Sequence, residues 1–167
     1  IIDCAEKYGR KVAFSGRSMV NYMDVAQKLG YLHLPENILI DIDMLDKYMP
    51  QQVVLVTTGS QGEPMSALSR MAYSDHRKVM VGEGDFIIIS ANPIPGNEKT
   101  VGNVVDELLK KGCKVIYESM YESISSLFTA NRNTSENMPT LQCFSVWNAR
   151  TFISVTSEVF LKSTRII

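Results

Sequence analysis

Three short loops concentrate the residues able to do chemistry. Ser15-Gly16-Arg17-Ser18 sets a guanidinium and two hydroxyls beside a glycine. That composition suits a phosphate nest: small residues let an anion reach backbone amides, and Arg17 supplies a planar fork of donors. It also suits a helix start capped by Ser15 or Ser18. In Gly59-Ser60-Gln61-Gly62-Glu63-Pro64, Ser60 and Gln61 can donate to phosphate or to base edges. Glu63 is acidic and unsuited to face a phosphate. It is expected to orient Arg70 or a backbone amide, or to accept from a base. A tight turn with a helix cap is the competing reading of this loop. The third loop, Asn92-Pro93-Ile94-Pro95-Gly96, leads into Asn97 and Glu98. Its prolines stiffen it, which fits a rigid connector as well as a binding edge.

The elements around these loops decide whether they can meet. Each loop leaves an apolar stretch and opens a helical one. Lys11 to Phe14 reads as a strand, and the helix after it runs to about Leu29 with Met19, Met23 and Ala26 at helical spacing and Gly30 as its stop. Val53 to Thr58 is a β-branched strand. The helix that follows has Met65, Leu68, Met71 and Ala72 on one face and Pro64 in its first turn. Phe86 to Ile89 is a continuous apolar strand, as expected where both sheet faces are covered. Asn97 is placed to cap the next helix, whose Val101, Val104, Val105, Leu108 and Leu109 follow the helical period. Cys113 to Tyr117 is the strand after it. Between these lie less regular stretches. Ile38 to Ile40 and Val79 to Val81 are candidate short strands, and Asp43 to Tyr48 is a helical turn ended by Pro50. Alternating strands and helices predict a mainly parallel sheet with helices on both faces, a three-layer α/β sandwich with right-handed crossovers. In such a sheet the three loops share one edge, at the carboxyl ends of the strands, where open α/β sheets bind ligands.

Composition bounds the function. With 167 residues, 45% apolar and 21% charged, the chain can bury a core as an ordinary globular domain. A formal net charge of −1 means that any nucleic-acid contact must come from local features and not from a basic surface. Cys4, Cys113 and Cys143 are scattered, which favours reduced thiols in a cytoplasmic protein over a disulfide framework or a zinc knuckle. His33 and His76 are the only histidines, and neither has a second ligand at metal spacing. His76 is expected in a polar loop, and His33 is expected to be structural or exposed. Asp41, Asp43 and Asp46 read as a solvated face. No metal site and no catalytic residue is therefore expected in this chain. No apolar run is long enough to cross a bilayer, so no membrane partner is expected. The start at Ile1-Ile2-Asp3-Cys4 has neither an initiator Met nor signal-peptide features, and it reads as the middle of a longer protein. Residues 1–9 read as the tail of a helix.

The wording of the loops adds a resemblance. Phe14-Ser15-Gly16-Arg17-Ser18-Met19, Thr57 through Met65, Ser66 through Ala72, and Ser90 through Glu98 resemble, in order and in rough spacing, the β-CASP domain of bacterial ribonuclease J. The resemblance covers about residues 1–120. It implies a metal-dependent ribonuclease with 5′-exonuclease and endonuclease activity in RNA processing and decay. Its two-zinc site would lie in a metallo-β-lactamase domain missing here, so this chain alone is expected to be inactive. Single-stranded RNA would thread between the two domains, and the full-length protein would form a homodimer or tetramer. The resemblance carries Ser15, Gly16, Arg17, Ser18, Gly59, Ser60, Gln61 and Glu63 to the RNA side. Asn97 and Glu98 are added as candidates from the third loop.

Residues 121–167 depart from that pattern. The family continues into a His-Val-Ser-Gly-His segment and a later Pro-Val-His-Gly segment, whereas no histidine follows His76 here. A divergent tail, an artefactual end and a reading-frame slip all fit. Leu141 to Val155 still holds apolar and β-branched residues able to pair as strands. Two readings from other classes stay open beside the ribonuclease one. The first is a stand-alone nucleotide- or phosphate-binding module; the second is a structural piece that dimerises through an exposed edge or face.

Overall fold

The computed structural model describes residues 1–32, 34–91, 93–117 and 150–155. Five strands form one sheet: β1 (Lys11–Ser15), β2 (Val53–Thr57), β3 (Phe86–Ser90), β4 (Lys114–Ile116) and β5 (Thr151–Val155). Their order is β1-β2-β5-β3-β4, and every neighbouring pair is parallel. Four α-helices accompany them: α1 (Ile2–Lys7), α2 (Arg17–Lys28), α3 (Ala67–Ala72) and α4 (Glu98–Lys110). The strand alternation sorts the core into two layers. Ala13, Leu55, Ile87, Ile89 and Phe152 face α3 and α4, packing on Leu68, Met71, Val104 and Leu108. Val12, Val54, Val56, Phe86, Ile88 and Ile153 face α1 and α2, packing on Ala5 and Met19. This is the three-layer α/β sandwich that the alternating elements predict.

The segment between α2 and β2 explains how the crossovers keep one hand. Val12 pairs with Leu39 in a single parallel bridge. The Val12 amide donates to the Ile38 carbonyl at 2.8 Å, and the Ile40 amide donates to the Val12 carbonyl at 2.9 Å. Instead of a strand at 38–40, the chain makes one bridge at the outer edge of β1. It then returns across the opposite face through a 3-10 turn, Ile42–Lys47, whose Ile42 and Leu45 pack on the α3/α4 layer. Moving outward over one face and inward over the other is the same rotation, so the two connections share one hand.

β5 lies in the middle of the sheet, within the 141–155 stretch; residues 141–149 of that stretch lie outside the described residues. Two arginines pin its start. Arg150 grips Asp85 with Nε to Oδ1 at 2.8 Å and Nη2 to Oδ2 at 2.6 Å, and its Nη2 also donates to the Met80 carbonyl at 2.8 Å. Asp85 Oδ2 accepts the Gly82 amide at 2.9 Å, so the buried carboxylate is well supplied with donors. Arg10, at the foot of β1, donates to Thr151 Oγ1 at 3.0 Å and to the Val53 carbonyl. Burial lowers the Arg10 pKa to about 10, which leaves it cationic at neutral pH.

Several local expectations are corrected. Pro64 precedes α3 and does not sit in its first turn; Ser66 caps the helix and accepts from the Ser69 amide at 3.3 Å. Met65 is therefore 82% exposed and is not on the buried face. Asn97 occupies the cap position of α4 without a side-chain cap bond. Leu109 is half exposed, because the α4 stripe on the core is narrow: Val101, Val104 and Leu108 fill it. Val79 and Val81 are buried, yet no strand forms at 79–81. Pro50 opens a second 3-10 turn, Pro50–Gln52.

Phe152 is fully buried at the centre of the α3/α4 layer. Phe152→Ala should lower the unfolding free energy by about 3–5 kcal/mol in urea titrations, from lost transfer energy plus a cavity. Leu109→Ala should cost about 0.5 kcal/mol or less. Equal costs would mean that β5 does not occupy the sheet centre.

Candidate functional site

Parallel strands deliver the first two loops to one place. Ser15 and Thr57 end β1 and β2 in register, and the chain turns sharply after each. Gly16 takes φ +115°, and a Cβ there would stand 2.7 Å from Thr58 Oγ1. Only a glycine lets the two loops come this close. Between them lies a cleft of about 800 Å³, walled by the start of α2, the 58–67 segment, Arg70 and His76.

The start of α2 is the cleft's most anion-friendly wall. Its cap, Gly16, makes no side-chain cap bond, so neither Ser15 nor Ser18 caps the helix. The first-turn amides keep their donor capacity, backed by the helix dipole of a 12-residue helix with no acidic residue in its first turn. Arg17, Ser18 and Asn21 are exposed there. Arg17 forms no ion pair or hydrogen bond among the described residues. Arg70 is committed instead: its Nε bonds Asp75 Oδ2 at 3.2 Å and its Nη2 bonds the Asp75 carbonyl at 2.9 Å. Asp75, and not Glu63, orients Arg70. The Glu63 side chain is exposed on the opposite wall, and its carbonyl takes the Ser66 hydroxyl at 2.7 Å.

Ser15 lies behind this wall, almost fully buried, with Oγ 3.1 Å from His76 Nε2. His76 Nδ1 accepts the amides of Lys78 at 3.3 Å and Val79 at 3.1 Å. An acceptor on Nδ1 fixes the neutral tautomer with its proton on Nε2, which donates to Ser15. Burial pushes the His76 pKa below 6.5, the charges of Arg70 and Lys78 add to this, and Asp75 opposes it.

The structure divides the remaining candidates. Gly16, Arg17, Ser18, Gly59 and Glu63 line the cleft. Ser60 and Gln61 are 2% and 6% exposed and do not line it. Gln61 Oε1 instead accepts the Ile94 amide at 2.8 Å, tying the second loop to the third. Gly62 continues the tie: at φ +72°, a Cβ would lie 2.8 Å from the Thr100 carbonyl carbon in the first turn of α4. Asn97 and Glu98 stand outside the cleft, and Glu98 closes its own loop by accepting the Gly96 amide at 2.8 Å. Asn21, Thr58, Ser66 and His76 join the lining without having been named as binding residues, and His76, expected only in a polar loop, is among them. Asn21 lies one turn beyond Arg17, a spacing the sequence displays. The place of His76 depends on a fold contact 61 residues away.

Among the described residues no group of three or more His, Cys, Asp or Glu gathers to hold a metal. Asp41 caps the first 3-10 turn through the Asp43 amide at 2.8 Å, and Asp43 pairs with Lys78 at 2.6 Å. Burial pushes the Cys113 thiol up to about 11, and its Sγ lies 3.4 Å from the Gly82 carbonyl. Cys143 and His33 lie outside the described residues. A two-zinc centre has no donor set among the residues described, so no step through a metal is derived for this chain. No described helix is long and apolar enough to cross a membrane.

Two outcomes follow. Gly62→Ala should destabilise the fold by more than ~1 kcal/mol in thermal or urea unfolding, since its positive φ and the α4 backbone both resist a Cβ. A cost near zero would remove the tie between loop and helix. For His76 the folded pKa lies below the unfolded one, so the unfolded chain takes up its proton first as pH falls. Its stability contribution is complete above about pH 6.5 and declines from there toward the lowered folded pKa. Unfolding curves against pH should show this decline in the wild type and a weaker one in His76→Asn.

A profile described as "Ribonuclease J, beta-CASP domain" matches residues 1–108. The chain is 52% identical over 116 residues to a protein named Ribonuclease J from Mycobacterium tuberculosis strain H37Rv, covering 70% of this chain and 21% of that one. It is 49% identical over 112 residues to a Ribonuclease J of Helicobacter pylori strain 26695, covering 67% and 16%. It is 43% identical over 117 residues to one from Synechocystis, covering 70% and 18%. The aligned stretch is thus about a fifth of these relatives' own length, and the family match over residues 1–108 contains the strand-to-helix loops that build the cleft. The chain belongs to the β-CASP domain family of ribonuclease J.

Proposed function

We propose that this chain is the RNA-contacting part of a ribonuclease J-type, metal-dependent hydrolase of cytoplasmic RNA processing and decay. The 5′-exonuclease and endonuclease chemistry, and the two-zinc centre that supplies its activated water, belong in this reading to a metallo-β-lactamase domain beyond this chain. The cleft contributes binding and register. One observation carries the reading: the uncapped start of α2 presents its amides, the Ser18 hydroxyl and an Arg17 guanidinium without an ion pair among the described residues on one wall of an open cleft of about 800 Å³.

Those groups fit a phosphodiester. The guanidinium meets the two non-bridging phosphate oxygens side by side, and the first-turn amides share the lone pairs of those oxygens without a counter-charge to displace. Asn21, one turn along, can take a neighbouring phosphate or sugar hydroxyl. Glu63 faces them from the other wall and repels a phosphate there, which leaves that side for a base edge or a ribose hydroxyl to donate to the carboxylate. Ser60 and Gln61 serve the cleft by shaping the loop. Backbone contacts of this kind bind single strands with little sequence preference.

Fluorescence titration of a 5′-monophosphorylated single-stranded RNA tests the reading at low and moderate salt. Arg17→Ala should weaken binding and reduce the slope of log Kd against log salt by about one contact. Glu63→Gln should leave affinity unchanged or raise it. A wild-type affinity that Arg17→Ala does not alter would refute the cleft as the RNA site. Equal affinity for a mononucleotide and a long strand would instead favour a stand-alone nucleotide-binding module.

A further inference from the structure

A histidine beside an anion site usually acts as a cation that meets the anion. The bonds of His76 point elsewhere. Nε2 is spent on Ser15, the buried last residue of β1, directly before Gly16 and Arg17. Nδ1 is spent on the amides of Lys78 and Val79, which turn the chain back toward the core at the buried Val79. The backbone just before it is fixed too, since the amides of Asp75 and His76 both donate to the Arg70 carbonyl, at 2.7 and 3.1 Å. One imidazole therefore joins the end of β1, the end of α3 and the 76–79 loop, and it forms part of the cleft lining.

We propose that His76 is a positioning residue that locks the cleft wall in its neutral form, so that acid weakens anion binding at this cleft instead of strengthening it. This rests on the reading of the cleft as an RNA-backbone site. The reason is geometric. A second proton can enter only at Nδ1, where two backbone amides already point. It would set donor against donor and release Lys78 and Val79. The surrounding charges resist that step on balance. Arg70 from α3 and Lys78 from the same loop disfavour the imidazolium, while Asp75 favours it. Lys78 is paired with Asp43 of the 3-10 turn, and Arg17 and Glu63 face His76 across the cleft from α2 and the second loop.

Long-range proton–nitrogen spectra of the 167-residue chain give the first test. At about pH 7.5 the ring should show a protonated Nε2 and a bare Nδ1, and the Lys78 and Val79 amide signals should move with the His76 midpoint on acidification. An Nδ1–H tautomer, an imidazolium at that pH, or amides indifferent to the titration overturns the lock. The second test is binding of a 5′-monophosphorylated oligoribonucleotide at constant ionic strength. Wild-type affinity should fall as pH is lowered from about 7.5 through the His76 midpoint that the spectra give, by the same factor as the neutral fraction of the ring, with far-UV circular dichroism showing the fold intact. His76→Asn places an oxygen where Nδ1 stood, loses the Nε2 bond to Ser15 and does not titrate, so it should bind more weakly than wild type at about pH 7.5 and with a flatter pH profile. Tighter wild-type binding in acid overturns the proposal. Absence of wild-type binding at every pH and salt overturns the RNA reading and its pH consequence, and the spectra then decide the lock alone.

Discussion

β2 and β3 never touch. They stand two strand spacings apart, near 10 Å, and each turns a row of amides and carbonyls toward the gap. Left open inside a sheet covered on both faces, those groups would cost on the order of 1–3 kcal/mol apiece. β5 meets them all, pairing Val54 to Thr57 on one side and Phe86 to Ser90 on the other. It carries Phe152 into one layer and Ile153 into the other, so the same five residues close the ladder and join both cores. The polar contacts at its start are arranged accordingly. A desolvated ion pair contributes little unless its remaining donors and acceptors are satisfied. Asp85 receives three hydrogen bonds, and Arg150 reaches a carbonyl besides.

The site inherits its geometry from that sheet. Because every strand runs the same way, the carboxyl ends share an edge, and there the apolar alternation gives way to hydroxyls. Ser15, Thr57 and Ser154 stand in register across three adjacent strands, two residues beyond Ala13, Leu55 and Phe152 on the α3/α4 side. All three are buried. Thr57 Oγ1 donates to the Thr58 carbonyl at 3.2 Å, Ser15 is held by His76, and Ser154 Oγ has no partner among the described residues. The row marks where the hydrophobic core stops and the polar loop edge that holds the cleft starts. It also explains why Ser15, although it sits in a loop motif, works from behind the cleft wall and not on its surface.

Much of this was legible along the chain. The β-branched and apolar runs at 11–14, 53–58 and 86–89 gave the strands, and the period of Val101, Val104 and Leu108 gave α4, since both signals are local. The shared edge of the loops followed from strand direction alone. What could not be read was nonlocal. Nothing in Thr151-Phe152-Ile153-Ser154-Val155 tells a strand whether it belongs at the rim or in the middle, and a small loop gives no sign of which side chain its turn will bury. Gln61 looked like a donor because amides recognise phosphates and bases. It became a brace because the third loop lies against it. Pro64 looked like a first-turn residue, but Ser66 offered a better cap two positions later.

The split between bracing and contact residues bears on how a family resemblance is used. A matched loop transfers all its residues together, those that touch a ligand and those that give the loop its shape. In Gly59 to Pro64 the shaping residues dominate: Ser60 and Gln61 are buried, Gly62 is wedged on α4, and Glu63 alone offers a charged side chain to the cleft. In Ser15 to Ser18 the balance reverses, because a helix start turns its amides and first side chains outward. The near-neutral whole chain is consistent with this. Its charge near the cleft is largely self-compensated, Arg70 by Asp75 and Lys78 by Asp43, which leaves Arg17 as a lining cation with no ion pair among the described residues. One guanidinium backed by helix amides concentrates positive potential at short range with little long-range field.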